Sequence, residues 1–271
     1  MNSLSDILIK DLMNQGFKTF FGLQGGASAR LIESVVRLGG RFHPVLNEQT
    51  AGYAAHGYYL ANNQPAGVIF TTGPGLTNGV SGIAACYFDR IPLAVIVGQV
   101  GKDLNVAKKT KTRMVGFQEV QHLEIIKPIV DSSFKIESLD FYKKSRKKIF
   151  ANNFNKKVFA FEFPDDIQRK KLNFLPNVKK KLVKRKKDIP QKTIHLISKL
   201  IKGSKKPLFI LGSGFAQSQD VKRSLEILKK YYCNLTLTWG AQNIQRHKKL
   251  NSIGLFGNHS PGTANAFLKE S

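Results

Sequence analysis

The chain of 271 residues has few cysteines, few acidic residues and no long apolar run, and each shortage excludes a class of protein. Its two cysteines, Cys86 and Cys233, lie far apart and belong to no CxxC or Cys/His cluster, which excludes a disulfide framework and a zinc site of ordinary spacing. We expect two buried free thiols. No stretch approaches the roughly 18 apolar residues of a membrane helix, and the sequence opens without a charged-then-apolar leader. These absences predict a cytoplasmic protein with no membrane partner.

Acidic residues are outnumbered, at 18 against 43 lysines and arginines, which gives a formal net charge of +25. Clustered cations bind nucleic acids by neutralising phosphates, so the charge alone suggests that function. Ten of the basic residues, however, fall between Arg169 and Lys187 in a stretch typical of a linker, and no zinc finger, RNA-recognition aromatic motif or basic zipper accompanies them. Other basic residues have the spacing of the water-facing side of a helix; examples are Lys143, Lys144, Lys147 and Lys148. We therefore predict a lysine-rich solvated surface and no specific nucleic-acid partner.

Apolar periodicity changes repeatedly between helical and extended spacing. It predicts helices over residues 4–15, 29–38, 49–60, 77–88 and 141–150, and strands over 19–23, 42–46, 67–71, 93–98 and 158–163. Ser5 or Asp6 is available to cap the first helix, whereas residues 102–115 have little periodicity and are predicted to form a loop. Such alternation indicates an α/β fold in which a parallel sheet is flanked by helices on both faces.

A second α/β segment follows the basic stretch. Helices are expected over residues 192–202 and 221–231, and strands over 207–211 and 234–238, with a turn at Gly212, Ser213 and Gly214. We therefore expect one domain over residues 1–168, a basic linker over 169–190, and an incomplete Rossmann-like α/β domain over 191–271.

The stretch NEQTAGYAAHGY at residues 47–58 puts one carboxylate, Glu48, at a helix start. By itself that position predicts only a favourable interaction with the helix dipole, worth about 0.3–1 kcal/mol. Gly52 and Gly57 each cost about 1 kcal/mol of helix propensity relative to alanine. Either close helix packing or a ligand is expected to compensate for them.

Two later segments are ordinary when read alone. TTGPGLTNG at residues 71–79 is typical of a turn, and the phenylalanine of GFQE at residues 116–119 suits a loop anchored to the core. In this order after NEQTAGYAAHGY, however, they resemble the pyrimidine-binding domain of thiamine diphosphate enzymes of the acetolactate synthase type. The QGGA turn at residues 24–27 occupies the place of the family's Pro-Gly-Gly turn. GLFGNH at residues 254–259 resembles the middle domain, which binds flavin in acetolactate synthases.

The resemblance implies site residues. The family's glutamate hydrogen-bonds N1′ of the cofactor pyrimidine and favours the imino tautomer that removes the thiazolium C2 proton; this catalytic role falls on Glu48. Cofactor contacts are implied for the two glycine turns and the asparagine that follows the second, and substrate-pocket positions for GFQE. The cofactor contacts are Gly25, Gly26, Pro74, Gly75 and Asn78, and the pocket residues are Phe117 and Gln118.

The resemblance also implies cofactors and partners. The cofactor is thiamine diphosphate, of which this chain would hold only the pyrimidine end, and FAD is a candidate second cofactor. In the family a third domain grips the diphosphate through Mg²⁺ with a Gly-Asp-Gly segment and a downstream asparagine; that pair is not found here, so no residue is assigned to a metal. We expect a homodimer or tetramer of a full-length form, or a second chain that bears the diphosphate domain.

The expected activity is decarboxylation of a 2-oxo acid, pyruvate by default, and transfer of the product to a carbonyl acceptor, as in branched-chain amino acid biosynthesis. The isolated chain is expected to be inactive. Asn47 stands where many relatives have histidine, and Asp131 where acetolactate synthases have a lysine beside the substrate channel, which favours a different substrate. Two alternatives stay open: a related enzyme with a surface-polysaccharide substrate, and a non-catalytic subunit that binds thiamine diphosphate.

Overall fold

The computed structural model of the chain describes residues 2–151, 154, 156–172, 189–218, 220–230, 234–246, 252–257, 260 and 262–271. They divide into two compact units, residues 1–183 and residues 184–271. Most of the basic stretch over residues 169–187, and also Cys233 and His259, lie outside the described residues. The domain boundaries at 168 and 190 stay predictions.

The first unit alternates strands with helices. Its strands are β1 (Asn2–Ser3), β2 (Thr19–Gly22), β3 (Arg41–Pro44), β4 (Ala66–Phe70), β5 (Leu93–Gln99), β6 (Ser132–Lys135), β7 (Val158–Pro164) and β8 (Lys171–Leu172). Its helices are α1 (Leu4–Asn14), α2 (Ala29–Arg37), α3 (Glu48–Asn62), α4 (Pro74–Phe88), α5 (Ala107–Thr110), α6 (His122–Ile126), α7 (Leu139–Ala151) and α8 (Asp165–Gln168), with a 3₁₀ helix at Lys127–Ile129. The predicted elements are present, and none of their ends is shifted by more than three residues. The predicted loop over residues 102–115 contains α5.

Six of these strands form a sheet in the order β3-β2-β4-β5-β7-β6, and every neighbouring pair is parallel. The chain moves outward from β2 to β3 and then returns to the other side of β2 as β4. This reversal makes a topological switch point between β2 and β4, and in open α/β sheets ligands bind outside the carboxyl ends of the strands at such a point. The predicted α/β fold with helices against a parallel sheet is confirmed.

The centre of this sheet is covered on both faces. Every residue of β4, β5 and β7 is buried, which explains why these strands read as continuous apolar runs rather than alternating ones. One cluster on the sheet includes Leu8, Phe20 and Phe161, and a separate one includes Ala55 and Val95.

Helix α1 begins differently from the prediction. Ser3, not Ser5, is its N-cap: the Ser3 hydroxyl accepts from the Asp6 amide at 3.3 Å, and the Asp6 carboxylate accepts from the Ser3 amide at 2.7 Å. This reciprocal capping box satisfies two amides at the helix start. Ser3 lies one residue outside the apolar period, which is why periodicity alone misplaced the cap.

The lysines of α7 are exposed, as predicted, at positions 143, 144, 147 and 148. Cys86 is a buried free cysteine, and burial, followed by the nearby Asp89 carboxylate, raises the pKa of its thiol to about 12. This confirms the expectation for one of the two thiols. Within the described ranges, no helix has both the length and the apolar character to cross a membrane.

The second unit has its own parallel sheet, in the order β11-β10-β9. Its strands are β9 (Leu208–Leu211), β10 (Asn234–Leu237) and β11 (Ser252–Leu255), and its helices are α9 (Gln191–Gly203), α10 (Ser213–Ala216), α11 (Val221–Lys230) and α12 (Gly262–Glu270), with a 3₁₀ helix at Trp239–Arg246. The turn expected at Gly212, Ser213 and Gly214 is instead the start of α10. A second α/β unit is therefore present.

Candidate functional site

The segments singled out in the sequence meet at the carboxyl edge of the six-stranded sheet. The turn containing Gly25 and Gly26 follows β2, Glu48 follows β3, the GPG turn follows β4, and Phe117 with Gln118 follows β5. Parallel strands end on the same edge, so segments as distant as residues 25 and 117 are brought to one side of the first unit.

Glu48 is the first residue of α3, and it is half-buried. Asn47 is the N-cap of this helix, because its Oδ1 accepts from the Gln49 amide at 2.9 Å. Asparagine is among the best N-cap residues, which gives a structural reason for asparagine at position 47. Nδ2 of Asn78, on α4, donates to Glu48 Oε2 at 2.6 Å. Within the described part of the chain, no hydrogen bond engages the other carboxylate oxygen, Oε1.

The two glycine turns close around one side chain, that of Thr71. A Cβ atom on Gly25 would lie 2.6 Å from Thr71 Cβ, and one on Gly75 would lie 2.7 Å from Thr71 Cγ2 and 3.9 Å from Glu48 Oε1. Gly26 has open space around it. Glycine at 75 therefore lets the turn approach Thr71 and leaves the space beside the Glu48 carboxylate unfilled.

The GPG turn is also held to the GFQE segment. Gly73 and Gln118 both have left-handed backbones, with φ of 61° and 55°, a conformation that is uncommon for a residue other than glycine. A Cβ atom on Gly73 would lie 2.6 Å from the Gln118 carbonyl oxygen. Thr72 Oγ1 lies 3.2 Å from that same oxygen. The contact explains why glycine is needed at 73 and how Gln118 is placed beside the turn.

Phe117 is 73% exposed, so the reading of this residue as a loop anchor in the core is wrong. Its neighbour Glu119 does the anchoring. The buried Glu119 carboxylate accepts from the amides of Ala107 at 2.7 Å, Val115 at 3.1 Å and Gly116 at 3.2 Å. In the sequence, Glu119 was noted only as part of GFQE, and its hydrogen bonds to the loop amides were not predicted.

A buried polar network behind the GPG turn was also missed. His122 and Gln99 are fully buried, and Glu162 and Thr72 nearly so. His122 Nδ1 lies 3.0 Å from Glu162 Oε2, and the Gly73 amide donates to His122 Nε2 at 2.9 Å. Thr72 Oγ1 donates to Gln99 Oε1 at 2.9 Å. One signal was available, since Glu162 is a lone charge in the apolar run VFAFEF at residues 158–163.

Asp131 does not lie beside this edge within the chain. Its carboxylate accepts from the Val158 amide at 2.8 Å, and its amide donates to the Val158 carbonyl at 2.9 Å. These contacts place it where β6 and β7 begin, at the amino edge of the sheet. Asp131 therefore joins the starts of two strands within the chain.

In the second unit, the glycine motif near residue 254 is closed by a side chain. The Gly257 amide donates to Asn265 Oδ1 at 2.9 Å, and Asn265 Nδ2 donates to the Gly257 carbonyl at 3.0 Å. The two bonds fix a turn in which Gly257 has a φ of 120°. They give Asn265 a structural role in this turn. The suggestion that FAD is a cofactor rests on the sequence resemblance alone.

Comparison with known proteins agrees with this geometry. Residues 2–125 match the family model "Thiamine pyrophosphate enzyme, N-terminal TPP binding domain". The chain is 29% identical over 268 residues to the acetolactate synthase large subunit of Buchnera aphidicola subsp. Schizaphis graminum, covering 96% of this chain and 46% of that protein. It is 30% identical over 275 residues to the acetolactate synthase isozyme 3 large subunit of Escherichia coli K12, with the same coverage.

A plant relative gives a similar result. The chloroplastic acetolactate synthase of Arabidopsis thaliana is 28% identical over 270 residues, which cover 93% of this chain and 38% of that protein. The chain spans less than half the length of these relatives. Residues 2–125 are thus a thiamine pyrophosphate enzyme N-terminal domain, and the chain as a whole is a distant homologue of acetolactate synthase large subunits.

Proposed function

We propose that this chain supplies the pyrimidine-binding half of a thiamine diphosphate-dependent active site. The whole enzyme would decarboxylate a 2-oxo acid, pyruvate by default, and transfer the product to a carbonyl acceptor. One observation carries the proposal: Asn78 Nδ2 donates to Glu48 Oε2 at 2.6 Å. The bond joins the start of α3 to α4, one turn after GPG, at the edge where an open α/β sheet binds its ligand.

The residues fit the aminopyrimidine ring. Gly75 has no side chain to occupy the space beside Glu48, and Gly26 leaves open space in the neighbouring turn. Gly25, Gly26, Pro74, Gly75 and Asn78 would hold the ring. Thiamine diphosphate, when bound, supplies a carbon nucleophile that adds to the 2-oxo carbonyl and accepts the electron pair left by loss of CO₂.

The two carboxylate oxygens of Glu48 would have different roles in the proposed site. Asn78 binds Oε2 and so orients the carboxylate, while Oε1 is left to hold a proton in a hydrogen bond to a ring nitrogen. Phe117 would bound the substrate pocket with apolar surface, and Gln118 would donate to a substrate oxygen.

The remaining parts of the site would come from elsewhere. We infer that Mg²⁺ and the diphosphate are held by a further domain, either in a full-length homodimer or tetramer or on a second chain. FAD is a candidate for the second unit. A branched-chain amino acid pathway follows if the product is acetolactate; a surface-polysaccharide substrate is the alternative, and analysis of the product separates the two.

The test is hydrogen–deuterium exchange at C2 of thiamine diphosphate in the assembled enzyme. Glu48→Gln should retain the fold and lose C2 exchange by about 10²-fold or more, the usual contribution of a positioned acid–base group. Glu33→Gln, which alters an exposed carboxylate on α2, is the matched control and should exchange like the unaltered chain.

Full C2 exchange in Glu48→Gln would sink the assignment of Glu48. Cofactor binding without C2 exchange in the unaltered chain, with every plausible partner chain present, would instead support a non-catalytic subunit that binds thiamine diphosphate.

A further inference from the structure

His122 is a fully buried histidine at the start of α6, and each of its ring nitrogens has a defined neighbour. Nε2 is 2.9 Å from the Gly73 amide, and Nδ1 is 3.0 Å from Glu162 Oε2. The ring therefore lies between a strand in the middle of the sheet and the turn that precedes Pro74. No motif in the sequence pointed to it.

The two contacts fix the tautomer of the ring. A backbone amide can only donate, so Nε2 must be unprotonated to accept from Gly73. A carboxylate accepts, so Nδ1 carries the hydrogen and donates it to Glu162. A second proton on Nε2 would place two donors against each other and remove the bond to Gly73.

Gln99 restricts the site further. Its Oε1 accepts from Thr72 Oγ1 at 2.9 Å and from the Val100 amide at 2.9 Å, and its Nε2 donates to the Val120 carbonyl at 2.9 Å. These bonds set the orientation of the amide. Gln99 Nε2 and His122 Nδ1, which are 3.0 Å apart, are then both donors, and each has Glu162 Oε2 as an acceptor, at 3.5 Å and 3.0 Å. The network thus holds both Thr72 and Gly73, the two residues before Pro74.

Few charged groups can influence this ring. From β7 the Glu162 carboxylate contacts it directly, and from β6 Lys135 Nζ lies 3.7 Å from the other oxygen of Glu162. The facing groups on β5 and before α4, Gln99 and Thr72, are neutral. On the segment of His122 itself, Glu124 and Lys127 are 4.0 Å apart and mostly exposed, at 64% and 74%. The hydrogen bonds of the His122 ring to Glu162 and Gly73 are therefore its main polar contacts.

We propose that His122 is a positioning residue that links the Glu162 carboxylate to the Gly73 amide and so holds the Thr72–Gly73 backbone in the conformation that sets Pro74, Gly75 and Asn78. It acts through the turn, and its hydrogen-bond partners do not include Glu48. The inference deepens the proposed function and rests on it for the identity of the ligand. The link between His122 and Gly73 stands without that identity.

The test uses two substitutions in the full chain. His122→Gln retains an acceptor for Gly73 and a donor for Glu162, whereas His122→Leu removes both groups. Amide hydrogen exchange at Gly73 should accelerate about tenfold or more in His122→Leu, as expected for loss of a buried hydrogen bond, and should stay near the original rate in His122→Gln. His56→Gln, at a histidine that contacts Asp89 on the α3–α4 surface, is the matched control and should leave Gly73 unchanged.

Two measurements separate positioning from general structural support. Long-range ¹H–¹⁵N correlation spectra of the six histidines, assigned by His122→Gln, should show His122 with hydrogen on Nδ1 alone. The affinity for thiamine diphosphate should fall in His122→Leu and be retained in His122→Gln. A His122 ring protonated on Nε2, or Gly73 exchange unaffected in a folded His122→Leu, would overturn the inference.

Cofactor titration distinguishes this inference from the proposed function. If the unaltered chain and its assembled forms do not bind thiamine diphosphate while Gly73 exchange responds as expected, the proposed function fails and the His122 link stands. If they bind the cofactor and His122→Leu binds it equally well, the positioning role fails and the proposed function stands. Should His122→Leu not fold, His122→Gln and the tautomer measurement decide the matter.

Discussion

Gly52 of α3 and Gly82 of α4 face each other so closely that a Cβ atom on Gly52 would lie 2.5 Å from the Gly82 Cα. In the reverse direction, a Cβ atom on Gly82 would lie 2.7 Å from the Gly52 Cα. The glycines let two helix backbones meet directly beneath the pair formed by Glu48 and Asn78. Close packing therefore compensates for the helix propensity that Gly52 costs.

Gly52→Ala should consequently destabilise the first unit. The added methyl group meets backbone, which cannot rotate away, so we expect the free energy of unfolding to fall by about 1–3 kcal/mol, as for other overpacked sites. Gly57→Ala, in the same helix but with no atom within 4 Å of the added carbon, should raise it by up to about 1 kcal/mol. Urea unfolding of the two variants measures both values; equal effects would contradict this account of Gly52.

Asp11 joins α1 to α7 through a buried cluster. Its carboxylate accepts from Arg146 Nε and Nη2, each at 2.6 Å, and from the Tyr142 hydroxyl at 2.7 Å. Asp11→Ala should lower the free energy of unfolding by about 3–5 kcal/mol, because it removes the buried carboxylate to which the Arg146 guanidinium group donates two hydrogen bonds. Lys10→Ala, at the exposed neighbouring position, should change it by less than about 0.5 kcal/mol. Thermal unfolding would show the contrast, and similar midpoints for the two variants would argue against a stabilising role.

Asp6 makes part of the stability depend on pH. Burial raises the pKa of its carboxyl group, but hydrogen bonds from Arg37, Ser34 and Ser3 outweigh burial, and the folded-state pKa is lowered. A carboxyl group with a lowered folded pKa adds stability above its unfolded-state pKa, about 3.9, and that stability is lost as pH falls through the folded pKa. Asp6→Ala should therefore lower the free energy of unfolding at neutral pH by about 1–3 kcal/mol.

The role of Asp6 is tested by how the stability difference between Asp6→Ala and the unaltered chain changes with pH. The difference between Asp6→Ala and the unaltered chain should shrink as the pH is lowered below 3.9, and it should not change between pH 6 and pH 8. Chemical unfolding at four pH values measures this. A difference that grows on acidification would have the wrong sign and would reject the assignment.

Glu119 controls the loop that carries the basic residues beside the site. Because its carboxylate accepts from three loop amides, Glu119→Ala should release the segment around α5. Lys108, Lys109, Lys111 and Arg113 are already exposed there, so trypsin should cleave this loop about tenfold faster or more, the effect of losing about 1.4 kcal/mol of local stability. Glu124→Ala, at a mostly exposed carboxylate, should leave the cleavage rate unchanged; equal rates in both variants would refute the role of Glu119.

The sequence by itself determined the order and type of the elements. Apolar runs at β4, β5 and β7 and helical periods between them are local patterns, so the parallel α/β fold was readable without coordinates. The motifs at Glu48 and at GPG were also readable, because each is contiguous in the chain. Their roles beyond a capping carboxylate and a turn came from resemblance, and for Phe117, Gln118 and the cofactor contacts they stay predictions.

Only the tertiary structure decided which distant groups meet. The contacts between Asn78 and Glu48, between Gly25 and Thr71, and between His122 and Gly73 depend on strand order and on the return of the chain across β2, which no local pattern specifies. The same register placed Asp131 at the amino edge of the sheet, away from the site. Side-chain periodicity records which face of an element is buried, whereas the pairing of buried polar groups is set by the geometry of neighbouring elements, and that geometry exists only after the sheet has formed.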